Sequence, residues 1–303
     1  MIDGTTLSTS PLVYGALSTV SSRVSLFTKT FNLRLLLCVA FAGPVGYVGY
    51  ISAVAVHEVL GHGAAAWVLG GTFGGFALMP DGMGSATAEA EGHQNLVLAA
   101  GVLAGTGFGI ALLLLARWVT HPLAKMVCLL FAFSSLEDAT PYAFWNSAFP
   151  RPPGDFGRIL LDLQSAELRW SLVVGSGVAY VATTIGCNIA IFRCFESLLG
   201  RLTRIQAIML AWVFFGFVGG VAWFGFDWNL LIQDVGRVPQ YVGASLQFAI
   251  APLLVATRKR ELVAVSVSNR CWAGSIASAW LVAGSLVVVL QSWLRHGVSW
   301  TGE

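Results

Sequence analysis

Long apolar runs, each separated by a short polar or glycine-rich stretch, set the hydrophobic pattern of this chain. Crossing a hydrocarbon core takes about 20 mostly apolar residues. Seven segments meet that length, at 35–69, 95–117, 122–140, 168–192, 204–226, 239–257 and 271–294. Each reads as a transmembrane helix, since a helix satisfies its own backbone groups in lipid. The first is over-long and contains Gly43-Pro44, which predicts a kink or a break there. The third ends where Glu137 and Asp138 crowd it, which places both acids at a solvated helix edge.

Two connections carry a pattern of their own. Residues 70–93, "GGTFGGFALMPDGMGSATAEAEGH", are glycine-rich, with a β-like patch at Thr72 to Met79. They predict a hairpin or re-entrant segment lying against the helices. Residues 141–164 hold a cluster of prolines and no helical period before Asp155. They predict an extended segment that leads into a new helix, with Gly154 and Asp155 near its start. The fold class is therefore an all-α polytopic membrane protein of about seven transmembrane helices, with a short β-hairpin or re-entrant segment after the first. Residues 1–34 form an N-terminal polar tail, expected to be disordered. Residues 35–165 form a membrane core and residues 166–303 a set of additional helices.

Composition agrees with this picture. Of the 303 residues, 56% are hydrophobic and 11% charged, whereas a soluble domain carries about 25% charged residues. So low a density cannot cover a water-exposed surface, and the lipid bilayer is the expected surround. The net charge of +2 is too small to suggest nucleic acid as a partner. Cys38, Cys128, Cys187, Cys194 and Cys271 lie in or beside apolar segments without a CxxC spacing, and read as packing residues. Twelve of the 17 Lys and Arg fall on one side of the seven-span arrangement, which by the positive-inside rule puts the N-terminus in the cytoplasm.

Against this background "HEVLGH", His57 to His62, is out of place, because ionisable groups at membrane depth are expensive and mark function. In the zinc-peptidase pattern H-E-x-x-H, two histidines four apart share a helix face beside a glutamate. His57 and His62 are five apart, and on a regular helix they would diverge by roughly 140°. A π-bulge absorbs one extra residue, and Gly61 makes that distortion cheaper. Glu58 and His62 share a face without distortion, so they form a rival ligand pair with His57 behind them. The two-histidine assignment is preferred, since imidazole suits zinc and Glu58 is then left free as a general base. Histidines that merely hydrogen-bond across buried helices are the bland alternative. Farther on, "NSAFPRPPGDFGRIL" offers Asp155, a carboxylate flanked by glycines at a helix start. Gly101, Gly105 and Gly109 have the spacing of a close helix-packing face.

These motifs together resemble the site-2 proteases, intramembrane zinc metalloproteases that pair an HExxH helix with a later segment reading roughly N-x-x-P-x-P-x-L-D-G-G-R. Here Asn146, Pro150, Pro152, Pro153, Asp155, Gly157 and Arg158 stand in that order, with one residue extra before Asp155. The span "LAAGVLAGTGFGIALLLL" is similar to the one that follows the HExxH helix in that family. The resemblance covers about residues 45–165. It implies zinc as cofactor, His57, His62 and Asp155 as its ligands, Glu58 as general base, and Asn146 as a polar group near the substrate backbone. Phe156 stands where the family usually has glycine, and Gly154 where it has leucine. The hexapeptide alone also resembles the HExxGH helix of the dipeptidyl peptidase III family, which shows that this spacing is compatible with zinc.

The function expected from all this is intramembrane zinc endopeptidase activity, hydrolysing peptide bonds in or near transmembrane segments of membrane proteins. The patch at Thr72 to Met79 would hold an unwound substrate strand by edge pairing. The alternative is a non-hydrolytic metal-binding membrane protein, either a zinc carrier or an inactive protease-like scaffold. Glu58 discriminates the two, because only a hydrolase needs it as a base. Asp227, Asp234 and the run Arg258-Lys259-Arg260 read as loop and anchor residues, and His93, His121 and His296 as span-end residues facing water.

Overall fold

A computed structural model of the chain describes residues 11–78, 84–150, 154–200 and 267–299. The predicted spans at 204–226 and 239–257 lie outside them, as do Asp227, Asp234 and Arg258 to Arg260. The first helix, α1 (Pro11–Ala55), runs into a π-helical segment at Val56–Gly63 and then a short α2 (Ala64–Val68). A hairpin of β1 (Thr72–Leu78) and β2 (Gly84–Glu89) follows. Next come α3 (Gln94–Trp118), α4 (Pro122–Ala148), the short α5 (Asp155–Leu163) and α6 (Ala166–Leu199). The described chain ends in α7 (Asn269–Ser292), a 3-10 turn at Leu294–His296 and a two-residue strand β3 (Val298–Ser299).

Among the described residues, four stretches are long and apolar enough to cross a membrane, namely Leu33–Val68, Gln94–Trp118, Ala166–Leu199 and Arg270–Ser292; the span predicted at 122–140 is not one of them. The protein is thus an integral membrane protein, mostly helical with a small sheet. Three expectations need correction. Residues 11–34, expected to be a disordered tail, are helical within α1 from Pro11 onwards; proline is at home in a first helical turn, where its missing N–H is not needed. Pro44 neither ends nor breaks the helix. And α4 continues past Glu137, Asp138 and Pro141 to Ala148, so residues 141–148 are helical rather than extended. Membrane helices tolerate such a proline because neighbouring groups take up the freed carbonyls. Here the carbonyl left without its helical donor is that of Glu137, while the Thr140 hydroxyl donates to the neighbouring Leu136 carbonyl at 2.8 Å.

Helices in lipid gain little by hiding apolar surface from a solvent that is itself apolar. They associate through close packing and a few polar bonds. Both devices converge on α4, which packs against α1, α3 and α6. A Cβ on Gly105 would sit 3.3 Å from Ala139 Cβ, and one on Gly109 would lie 2.6 Å from Leu136 Cγ. The glycine face of α3 is therefore a packing face against α4. Across the same contacts, Ser135 Oγ donates to Gly105 O at 2.8 Å and Ser134 Oγ to Gly46 O at 3.3 Å. Towards α6, Thr184 Oγ1 donates to the Glu137 carboxylate at 2.8 Å. Glu137 is thereby held inside the bundle and not at a solvated helix edge, because α4 does not stop there.

The hairpin expected at 70–93 is present. β1 and β2 are antiparallel, with Thr72 opposite Glu89 and Leu78 opposite Gly84, and the register shifts between Phe73 and Gly75. The sheet order is β2-β1-β3, so β1 is the central strand. On its outer side β3 pairs at Gly75 and Phe76. Gly75 has φ +144° and the Val298 carbonyl stands where its Cβ would be, so only glycine serves there. The C-terminal helix α7 carries β3 to this position. It lies along α1, with Trp280 Nε1 donating to Ala40 O at 3.0 Å. Leu78 of the hairpin shares a buried cluster with Ile51 and Val54 of α1 and Leu290 of α7. The hairpin is thus clamped on the stretch of α1 that leads directly into "HEVLGH".

Candidate metal centre

The five-residue spacing of His57 and His62 is resolved by backbone geometry. All of "VHEVLGHG" is π-helix, in which bonds run i to i+5 and the turn is wider than in an α-helix. The two imidazoles come to one side, with ring centroids 4.9 Å apart and planes at 77°. The widened turn also lets Gly61 meet α3 backbone to backbone, since a Cβ there would lie 2.8 Å from Gly101 N and 2.9 Å from Ala100 O. His57, Glu58 and His62 are all buried. One ligand atom from each falls within 4.8 Å of the others.

Asp155 approaches from α5. Its Oδ2 lies 3.1 Å from His57 Nε2 and 3.4 Å from His62 Nε2. It is the first residue of α5, following Gly154 in extended conformation, and a carboxylate is favoured at a helix N-terminus. Three further features seat it. Phe156, in the position where glycine was expected from the resemblance, is buried with Leu98 and Val102 of α3, Ala139 and Ala143 of α4 and Ile159 of α5. It pins α5 between the two helices. The Asn146 amide Nδ2 donates to Tyr142 O at 2.9 Å, and its Oδ1 occupies the place a Gly154 Cβ would take; a leucine at 154 would not fit. Arg169 donates to Ala148 O at 2.7 Å and to Ser147 O at 3.3 Å, satisfying carbonyls at the end of α4.

The charges of the site fit a cation. His62 Nδ1 lies 2.8 Å from Val97 O, which only accepts, so Nδ1 carries the hydrogen and donates. In the neutral ring Nε2 is then a lone pair directed at a carboxylate oxygen 3.4 Å away. Two acceptors in that position repel unless a cation lies between them. Two ligands of a tetrahedral zinc, each about 2.0–2.1 Å from the metal, are separated by about 3.3–3.4 Å, close to the spacings of Asp155 Oδ2 from the two nitrogens. When the imidazoles are instead protonated, burial still opposes ionisation of Asp155, but their hydrogen bonds and charges outweigh it and hold the carboxyl well below the usual carboxylate range. His57 Nδ1 is buried with no hydrogen-bond partner among the described residues.

The structure thus brings together His57, Glu58, His62 and Asp155, and sets Asn146 beside Asp155 through Gly154. Asp138, assigned from the sequence to a solvated span end, lies within α4 close enough to His57 and Asp155 to interact with their charges. His93, His121 and His296 are exposed, as expected. Two participants were missed. Tyr142 Oη contacts Asp155, and Gly84 of β2 lies against Glu58, since a Cβ there would be 2.9 Å from Glu58 Oε1. Neither has a sequence signal, because "PYAFW" has no helical period to orient Tyr142 and Gly84 is one of many loop glycines.

Comparison with curated proteins and with solved structures found no match. Residues 30–137, from the first span through most of α4, match the family described as Peptidase M50B-like. This stretch carries both imidazoles, the intervening Glu58, and the glycines of α3 that close on them. The match covers about a third of the chain and supports its resemblance to the site-2 protease family of membrane metallopeptidases.

Proposed function

We propose that this protein is an intramembrane zinc endopeptidase that hydrolyses peptide bonds in or near transmembrane segments of membrane proteins. The observation that carries the reading is the convergence of His57 Nε2, His62 Nε2 and Asp155 Oδ2, with the His62 lone pair fixed towards the carboxylate by Val97 O. These three would hold the ion. A zinc bound there supplies Lewis acidity, polarising a scissile carbonyl and making water easier to deprotonate.

Glu58 does the proton work. It neighbours both imidazoles without a hydrogen-bonding role in holding Asp155, so its carboxylate is free to accept a proton from water as the water oxygen attacks the carbonyl carbon. The same proton passes to the amide nitrogen as the C–N bond breaks, which leaves a carboxylate and an amine and returns Glu58 to its starting state. Burial around Glu58, including Gly84 against its carboxylate, limits bulk water, and that strengthens each electrostatic contact. Asn146 serves as a polar contact beside Asp155 for the substrate backbone.

A transmembrane helix hides its peptide bonds in its own hydrogen bonds and must open before attack. The sequence points to β1 as the strand that holds the opened segment. β1 is flanked by β2 along its length and by β3 at Gly75 and Phe76. Among the described residues β2 and the two-residue β3 are the edge strands of the sheet, and the longer of them, β2, begins at Gly84, beside Glu58. Edge pairing therefore falls to Gly84–Glu89, where a substrate strand would run past the general base.

The test is cleavage of a membrane-protein substrate by wild type and by Glu58→Gln, with zinc content measured on both. Loss of cleavage with zinc retained supports the peptidase. Undiminished cleavage in Glu58→Gln removes Glu58 from the mechanism. A wild type that binds zinc and cleaves nothing supports the non-hydrolytic alternative.

A further inference from the structure

We propose that Tyr142 is a positioning residue for the metal centre, fixing the Asp155 carboxylate so that Oδ2 faces both imidazoles. The proposal rests on the metal-binding reading above. Tyr142 lies on α4 one turn before Asn146. Its hydroxyl donates to Asp155 Oδ2 at 3.3 Å and accepts the Asp155 backbone N–H at 3.1 Å. A phenolic hydroxyl has one proton and two lone pairs, so both bonds form at once. They close a small ring across the backbone and the side chain of a single residue. That ring selects one Asp155 rotamer, because another rotamer forfeits the bond to Oδ2 while the backbone bond stays in place.

The oxygen selected is the one that matters. Oδ2 is also the atom 3.1 Å from His57 Nε2 and 3.4 Å from His62 Nε2. The Tyr142 ring stands edge-on to the His57 ring, with centroids 5.6 Å apart and planes at 87°. One side chain therefore buttresses the first ligand with its ring and the third with its hydroxyl. Outer partners of this kind orient metal ligands and are worth about 10–100-fold in metal affinity when removed. A neutral donor is the right chemistry for the role. A Lys or Arg there would neutralise the carboxylate and compete with the cation, and an apolar residue would leave Asp155 free to rotate.

Phenylalanine at 142 keeps the ring against His57 and deletes only the hydroxyl, so the experiment compares full-length wild type with Tyr142→Phe in detergent. Zinc affinity is measured by competition with a chelator, the absorption spectrum is taken after cobalt loading, and thermal unfolding is followed on the metal-free protein. We expect zinc affinity to fall about 10–100-fold and the cobalt spectrum to change, while the metal-free unfolding temperature stays close to that of wild type. Equal zinc affinity with an unchanged cobalt spectrum overturns the role of Tyr142, even if the unfolding temperature drops. If wild type takes up no zinc, the metal-binding reading fails first and Tyr142 falls with it, a result distinct from a variant that matches a zinc-binding wild type.

Discussion

Gly101 and His62 stand in a relationship that leaves no room for a side chain. A Cβ at 101 would lie 2.7 Å from His62 Nε2 and 2.6 Å from His57 Nε2. The space a methyl group would fill is the space between the two ring nitrogens, and α3 closes on the π-helical turn only because that space is open. We expect Gly101→Ala to weaken zinc binding at least about as much as the loss of an outer partner, roughly 10–100-fold. Equilibrium dialysis against zinc checks this, and Gly107→Ala, where a Cβ meets nothing within 4 Å on the same helix, is the matched control.

Glu58→Gln separates the base from the ligands. Positioned proton transfer contributes typically 10²–10⁴-fold to rate, so cleavage should fall by about that factor. Zinc content should stay at the wild-type level, because the amide keeps the shape of the side chain and the three ligand atoms are untouched. Mass-spectrometric metal analysis alongside a cleavage assay reads both.

Acid should empty the centre from the imidazole side. A carboxyl held below its usual range in the folded protein stabilises the fold at pH above its unfolded value, about 3.9, and that contribution is lost only as pH falls further, through the depressed folded value. Asp155 therefore stays ionised through mild acid, while zinc release tracks protonation of imidazole ligands, which must be neutral to bind. Zinc retention followed from pH 8 down to pH 4 should drop while Asp155 still carries its charge. Infrared bands of the carboxylate in wild type against Asp155→Asn report that charge independently.

Successive backbone N–H groups of a strand alternate between its two edges. Of Ala86→Pro and Thr87→Pro in β2, one should therefore disrupt the hairpin and the other remove only an outward donor. The outward substitution should raise KM for a membrane substrate with little change in thermal stability. The inward one should lower stability and activity together. Equal KM for wild type and both variants would exclude β2 as the pairing edge.

Phe156 shows how much of the site was legible in the sequence. The pairing of "HEVLGH" with a distant carboxylate at Asp155 was implied by the resemblance to the site-2 proteases, and the need for a π-bulge followed from helix arithmetic. The hairpin was legible from glycine density and the β-like run at Thr72. What could not be read was support that depends on packing. Phe156 looks like a departure from the resembling pattern, yet it fills the α3–α4–α5 junction; its truncation to alanine should cost about 3–5 kcal/mol. Glu137, Asp138 and Pro141 argue against a helix one residue at a time, while the Glu137 carboxylate finds a donor across the bundle, in Thr184 of α6. The direction of Tyr142 is set only because α4 runs on through it. The third strand, β3, has two residues and no sequence signal apart from the glycine it meets.

The central claim is that His57, His62 and Asp155 form one zinc site. Metal content of the detergent-purified protein, on wild type beside His62→Ala and Asp155→Ala, tests it most directly. The account predicts about one zinc per chain in wild type, lost in both variants. Zinc retained in Asp155→Ala, or no zinc in wild type even after reloading, would contradict it.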